Sequence, residues 1–113
     1  MALKVTTTEQ NIAIIEPRGS LIGGSEIDEL KVTAREILDK GNKKLIIDLG
    51  GVDYINSSGI GALVSILTTY KNANGSVKLC RMGKGVQNVF VITKLTSVFD
   101  VEDTREAAIK NFQ

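Results

Sequence analysis

Two neighbouring serine hydroxyls, those of Ser57 and Ser58, stand where a helix is predicted to begin, and they are the groups of this chain best placed for chemistry. The first turn of a helix has unpaired backbone N–H groups and the positive end of the helix dipole, so a phosphate group is stabilised there. A phosphoserine would also change the surface charge by roughly −1.5 to −2. The pattern therefore indicates a phosphorylation site or, as the alternative, a helix start at which Asn56 or Ser57 only caps the backbone.

The elements that must position these serines lie on both sides of them. Upstream, residues 44–49 contain an apolar run without alternation, which is typical of a strand in the middle of a sheet. Downstream, apolar residues recur at the spacing of one buried helical face, at Ile60, Leu63, Val64 and Leu67. The chain thus predicts a strand, a loop and a serine-bearing helix start in that order.

The rest of the chain is predicted to alternate strands with helices. A hairpin opens the chain, with strands at residues 3–8 and 11–18, and two capping boxes are predicted, one of Ser25 with Asp28 and one of Asp103 with Glu106. The other predicted elements are a loop at 20–24, a helix at 25–40, a strand at 77–82, a turn at 83–85, a helix at 86–93, an edge strand at 98–101 and a helix at 103–112. This order implies an α/β fold whose later strands run parallel through helical crossovers.

Residues 48–61 resemble the signature of the anti-sigma factor antagonists, which are bacterial proteins of the STAS domain family. The shared features are a strand ending in Asp-Leu, a valine a few residues later, and Ser-Ser-Gly followed by a second glycine at the start of a helix. The resemblance extends over nearly the whole chain. It implies a STAS-like mixed β-sheet with an N-terminal antiparallel hairpin and helices packed against the sheet, as a single domain over residues 1–113.

The resemblance also implies a function and a site. An antagonist of this family binds an anti-sigma factor with serine kinase activity, which releases a sigma factor, and phosphorylation by that partner switches the antagonist off until a serine phosphatase restores it. By resemblance the phosphorylated residue is Ser57, with Ser58 as the second choice. The implied partner-binding residues are Tyr54, Asn56, Ser57, Ser58, Gly59, Gly61 and Ile22.

Two departures from the family pattern leave an alternative open. Asn56 stands where the family has an aspartate before the phosphorylated serine, and Ile22 stands where an aspartate is common after the second strand. Both losses remove a carboxylate near the phosphorylation site. The alternative is a STAS domain that serves as a fixed assembly subunit, either the accessory subunit of a lipid ABC transporter or a scaffold in a signalling complex.

Gly59 and Gly61 are costly in the first turns of a helix, by roughly 1 kcal/mol each relative to alanine. Their presence indicates that something approaches the backbone closely. That neighbour is either a docked partner or the sheet of the chain itself, and the sequence does not distinguish the two.

Composition excludes most enzymes. The chain of 113 residues has no histidine, which removes the usual general base and the commonest metal ligand. It also lacks a Gly-x-Ser-x-Gly elbow and a Walker phosphate loop. The single cysteine, Cys80, is predicted to be a buried and inert thiol. We therefore expect no catalytic residue, no metal site and no cofactor.

Charge and hydropathy restrict the partners and the compartment. The 14 basic and 13 acidic residues give a net charge of +1, and no aromatic platform is predicted, so a nucleic-acid partner is not expected. The longest nearly uninterrupted apolar run, residues 60–67, is too short to span a membrane, and the N-terminal residues lack the apolar stretch of a signal peptide. We expect a cytoplasmic protein without membrane insertion, which is a monomer or a weak dimer when free.

Overall fold

The computed structural model describes residues 3–112, and these form a mixed sheet with helices packed against it, as predicted. The elements alternate in the expected way, except for one strand that the sequence did not predict. In chain order they are β1 (Leu3–Thr7), β2 (Ala13–Leu21), α1 (Ser25–Asp39), β3 (Lys44–Asp48), β4 (Gly51–Ile55), α2 (Ser57–Asn72), β5 (Ser76–Cys80), α3 (Lys84–Ile92), β6 (Asp100–Glu102) and α4 (Arg105–Lys110). None of the helices within residues 3–112 has the length and apolarity that crossing a membrane requires.

The sheet has the strand order β1-β2-β3-β5-β6. β1 pairs antiparallel with β2, with Leu3 opposite Pro17 and Thr7 opposite Ala13, so the predicted N-terminal hairpin is confirmed. The other pairings are parallel, as the helical crossovers between them require. β3 lies in the middle of the sheet, and the full burial of Leu45, Ile46 and Ile47 confirms the prediction of a central strand.

β4 corrects the prediction of a loop before the serines. β2 is longer than predicted: β3 pairs with its first half and β4 pairs with residues Arg18 to Leu21, which includes part of the expected loop. The register of β2 and β4 shifts between Gly19 and Ser20, so the buried residues of β4 do not alternate with exposed ones. A strand without an alternating pattern gives no period-two signal in the sequence.

The two faces of the sheet are covered unequally. The larger core lies under α1, α2 and α3, and the opposite face is covered by the short helix α4, where Ala108 packs on a separate apolar cluster. Alternate residues along the strands point to this second face and are almost completely buried there; they are Ile12, Ile14, Ile46 and Cys80. α4, together with Phe112 just beyond it, therefore covers the apolar part of this second face.

Both predicted capping boxes are wrong, although the helices they opened exist. α1 is preceded by Gly24, which offers no side-chain cap, and the Ser25 hydroxyl instead donates to Oε1 of Glu26 at 3.1 Å. α4 is capped by Thr104, whose Oγ1 accepts from the N–H of Ala107 at 3.0 Å. In each case the N-cap residue precedes or follows the predicted one by a single position: it is Gly24 instead of Ser25, and Thr104 instead of Asp103. Side-chain types alone do not fix a helix end to within one residue.

The segment around α3 differs from the prediction at both ends. α3 begins at Lys84, inside the predicted turn, and ends at Ile92. The predicted last residue, Thr93, is the exposed C-cap, and its hydroxyl donates to the carbonyl of Val89 at 2.7 Å. The edge strand starts only at Asp100, because Phe99 turns inward and packs edge-on against Phe90 at a centroid distance of 5.7 Å. This aromatic contact takes the place of the first two predicted strand residues.

Candidate functional site

Asn56 organises the start of α2. Its Oδ1 accepts hydrogen bonds from the backbone N–H groups of Ser58 at 3.0 Å and Gly59 at 3.2 Å, so the predicted capping role is confirmed. Its Nδ2 donates to the carbonyl of Ile22 at 3.1 Å, and its own backbone N–H donates to the carbonyl of Leu21 at 3.3 Å. One asparagine therefore caps the helix and also fastens it to the end of β2.

Ser57 and Ser58 are both exposed on the first turn of α2. Within residues 3–112 neither hydroxyl has a hydrogen-bond partner, since the capping is done by Asn56. Ser58 faces Gly23, where an added Cβ would lie 3.9 Å from its Oγ, so that hydroxyl borders the loop after β2. Both hydroxyls are accessible to another protein, at a helix start that has no acidic residue in its first turn.

Two large side chains close to the start of α2, Ile22 and Tyr54, are exposed. The parallel pairing of β2 and β4 ends with Leu21 opposite Ile55, which places the following residues, Ile22 and Asn56, side by side. Ile22 is 50% exposed and Tyr54 is 56% exposed, so another protein can reach both side chains. The structure thus brings Ile22 to the candidate site, from a position 34 residues away along the chain.

The two glycines of α2 have different surroundings. Gly59 is buried, and a Cβ at its position would overlap the carbonyl oxygen of Leu21 and lie 2.6 Å from Cγ1 of Ile55. Gly61 is exposed, and a Cβ there would meet nothing within 4 Å. Of the two explanations offered by the sequence, close packing against the sheet applies to Gly59. Gly61 has the open surface that a docking partner would need.

Because Gly59 and Gly61 have different surroundings, alanine at the two positions should change the free energy of unfolding in opposite directions. Gly59→Ala is expected to lower the free energy of unfolding by about 1–3 kcal/mol, because the added methyl group forces β2 and α2 apart. Gly61→Ala is expected to raise it by up to about 1 kcal/mol, because alanine favours the helix and the site has room. Urea unfolding of both variants measures the two changes. Equal losses in both would show that Gly61 also packs internally.

A cluster of buried charge at the end of β3 was not predicted. Asp48 is completely buried, and its Oδ1 accepts from Nε of Arg81 at 2.8 Å and from the N–H of Gly50 at 2.9 Å. Its Oδ2 accepts from Nε and Nη2 of Arg105 at 2.9 and 2.7 Å. Burial opposes ionisation of Asp48, but the hydrogen bonds from Arg81, Gly50 and Arg105 outweigh it and lower the pKa of Asp48 below its ordinary value of 3.8.

Glu16 completes this cluster, which we call the Asp48 cluster and which consists of Glu16, Asp48, Arg81 and Arg105. Nη2 of Arg105 lies 2.9 Å and Nη2 of Arg81 lies 3.4 Å from the Glu16 carboxylate. Two carboxylates therefore balance two guanidinium groups, and Arg105 is the first residue of α4. The cluster joins the start of α4 to the centre of the sheet.

Cys80 lies in the apolar layer beneath α4. The side chain is completely buried, so the predicted burial is confirmed, and this burial raises the pKa of the Cys80 thiol to about 12, which disfavours the reactive thiolate. Among the residues that the structure describes, no group of three or more Cys, Asp or Glu side chains is arranged to hold a metal ion.

Comparison with known proteins assigns a family to this architecture. A family model described as the STAS domain matches residues 4–108. BtrV of Bordetella bronchiseptica, named as a candidate anti-sigma factor antagonist, is 27% identical over 111 residues, which cover 98% of this chain and 96% of BtrV.

Solved structures agree with the sheet and helix arrangement. A crystal structure of a candidate anti-sigma factor antagonist from Thermotoga maritima superposes with a TM-score of 0.87 at 23% identity, covering 96% of this chain and 92% of that one. The Bacillus cell fate determinant SpoIIAA in its phosphorylated form gives a TM-score of 0.76 at 17% identity, covering 99% of this chain and 100% of that one. The fold is that of the anti-sigma factor antagonists of known structure. The chain belongs to the STAS domain family.

Proposed function

We propose that this protein is an anti-sigma factor antagonist that is switched by phosphorylation of Ser57. In its unphosphorylated form it binds an anti-sigma factor with serine kinase activity and so frees a sigma factor. The observation that carries the proposal is the pair of accessible hydroxyls on a helix start that Asn56 has already capped. The names of its relatives support the same role.

The proposed contact surface is the first turn of α2 with its apolar border. Tyr54 and Ile22 supply the exposed apolar area that the centre of a protein interface needs, and Tyr is enriched in such positions. Gly61 leaves the next turn of the helix open, so a partner can approach the α2 backbone there. Asn56, Ser57 and Ser58 provide the polar contacts between these apolar residues.

Phosphorylation would change this surface by charge. The N–H groups of Ser58 and Gly59 are occupied by Asn56, so a phosphate on Ser57 cannot take them without displacing the cap. The phosphate gains from the positive end of the helix dipole but projects outward, where it places roughly −1.5 to −2 charges in the contact surface. A partner surface that fits the neutral hydroxyl would then either be repelled by the phosphate or have to bury the phosphate charge without a counter-charge.

The phosphoryl transfer itself would depend on the partner. Asn56 carries no charge and its amide is committed to three hydrogen bonds, so it cannot remove the proton of the Ser57 hydroxyl. The base and the ATP site therefore belong to the kinase, and a serine phosphatase returns the antagonist to its binding form. This chain needs no catalytic residue or cofactor for the role.

Phosphorylation by the kinase partner is the test of this proposal. Intact-mass measurement after incubation with ATP and the cognate anti-sigma factor is expected to show one added phosphate on the wild type and none on Ser57→Ala. The matched control is Ser58→Ala, which should still accept one phosphate. Full phosphorylation of Ser57→Ala would move the site to Ser58. Binding of all forms without any transfer would favour the alternative, a STAS domain that is a fixed assembly subunit.

A further inference from the structure

A cleft between α1 and α2 lies apart from the candidate site. It has a volume of about 150 Å³ and is lined on the α2 side by Ser65 and Thr69. Ser65 is eight residues beyond Ser57, which corresponds to roughly 12 Å along the helix. The cleft therefore belongs to a different part of the surface and takes no part in the proposed switch.

Four polar side chains converge on this cleft from two helices. Lys31 and Arg35 are one turn apart on α1, and Ser65 and Thr69 are one turn apart on α2. Within residues 3–112 the Lys31 ammonium and both hydroxyls have no hydrogen-bond partner. Arg35 uses only its Nε, which donates to Oδ1 of Asp39 at 3.3 Å, and its terminal nitrogen atoms are available.

The two charged residues that line the cleft, Lys31 and Arg35, are both cations, and Arg35 also pairs with Asp39, which lies outside the lining. Neither wall contributes a carboxylate to the lining, and the whole of α2, residues Ser57–Asn72, contains no acidic residue. The floor is apolar, since it consists of Ile66 and the ring of Tyr70, whose hydroxyl is already donated to the carbonyl of Ala34 at 2.9 Å. A cationic wall thus faces a neutral hydroxyl wall above an apolar floor.

We propose that this cleft binds a phosphate monoester. A phosphate dianion has enough acceptor oxygens for a guanidinium, an ammonium and two hydroxyls together, and both cations attract its charge. The volume is that of roughly five water molecules, which suits a phosphate group and the first atoms of its ester. The group can come from a small metabolite or from a phosphorylated side chain of another protein, and both present the same oxygens.

Titration with two probes tests this proposal. Ribose 5-phosphate represents the small-molecule source, and the blocked tripeptide Gly-phosphoserine-Gly represents the protein source; each is titrated into the unphosphorylated protein at constant ionic strength. We expect saturable binding of at least one probe, with NMR shifts at Ser65 and Thr69, and the probe that binds more tightly identifies the source. Arg35→Gln is expected to weaken binding about tenfold.

The control for this titration is Lys71→Gln, which removes an exposed cation of α2 that does not line the cleft. Its affinity should stay within about twofold of the wild type, because general attraction between charges is weak at a constant physiological ionic strength. Absence of saturable binding for both probes would overturn the proposal, as would an equal loss in Lys71→Gln and Arg35→Gln. Neither result bears on phosphorylation of Ser57, since the probes are bound by the unmodified protein.

Discussion

Ser57→Asp is expected to weaken binding to the anti-sigma factor by about 100-fold or more, whereas Ser57→Ala should bind like the wild type and resist inactivation. An uncompensated carboxylate in a desolvated contact costs several kcal/mol, and the aspartate imitates part of the phosphate charge. Both variants should remain folded, because Asn56 and not Ser57 caps the helix and an acid is favourable near a helix start. Binding titrations by calorimetry, with circular dichroism for folding, measure these effects.

The matched control for Ser57→Asp is Thr68→Asp, which adds the same charge to an exposed position further along α2. Its affinity for the anti-sigma factor should remain within about threefold of the wild type, because a Debye length of roughly 8 Å screens exposed charges at physiological salt. Similar losses in both variants would show that net charge, and not the position of Ser57, governs binding.

Asp48→Asn is expected to lower the free energy of unfolding by about 3 kcal/mol. The change keeps the volume but leaves the guanidinium groups of Arg81 and Arg105 without their buried counter-charge. We take the lower end of the usual range for a broken buried ion pair, because both arginines are partly exposed. The control is Glu16→Gln, which removes the outer carboxylate of the cluster and should cost about 1 kcal/mol. Equal losses would show that the complete burial of Asp48 does not determine the cost. Urea unfolding at neutral pH measures both variants.

The Asp48 carboxylate also determines how the stability of the protein should depend on pH. Because the pKa of Asp48 is lowered on folding, its ionised form favours the folded state above the ordinary value of 3.8, and this contribution is lost as the pH falls through the lowered pKa. The wild type should therefore lose stability below about pH 4 more steeply than Asp48→Asn, which has no carboxyl group to protonate there. Parallel curves for the two proteins would show that other acids control the acid transition.

Local signals in the sequence predicted most of the elements that hold the site. The start of α2 follows from residues within one turn, since Asn56 and the backbone it caps are neighbours in the chain. The burial of β3 follows from three consecutive apolar residues. β4 was missed because a register shift in its pairing with β2 removes the alternation that marks a half-buried strand.

The remaining features depend on contacts between distant parts of the chain. An aspartate inside the buried run of β3 does signal that a partner must exist, but Arg81 and Arg105 lie 33 and 57 residues away and nothing in the sequence links them to it. The surroundings of Gly59 in α2 are likewise decided by the carbonyl of Leu21, which lies at the end of β2. From the sequence, either internal packing or a docked partner could explain both Gly59 and Gly61. Only the tertiary structure shows that the two glycines have different surroundings.

The hydrogen bonds of Asn56 have a consequence for the speed of the proposed exchange. They hold the start of α2 against the end of β2 before any partner arrives, so the contact surface loses little conformational freedom when it docks. Association then needs no ordering step, and a preformed surface of this kind associates at rates set by diffusion and orientation. A phosphate added to the same rigid surface would act mainly by shortening the lifetime of the complex, so the antagonist could leave one anti-sigma factor without first unfolding any part of its own chain.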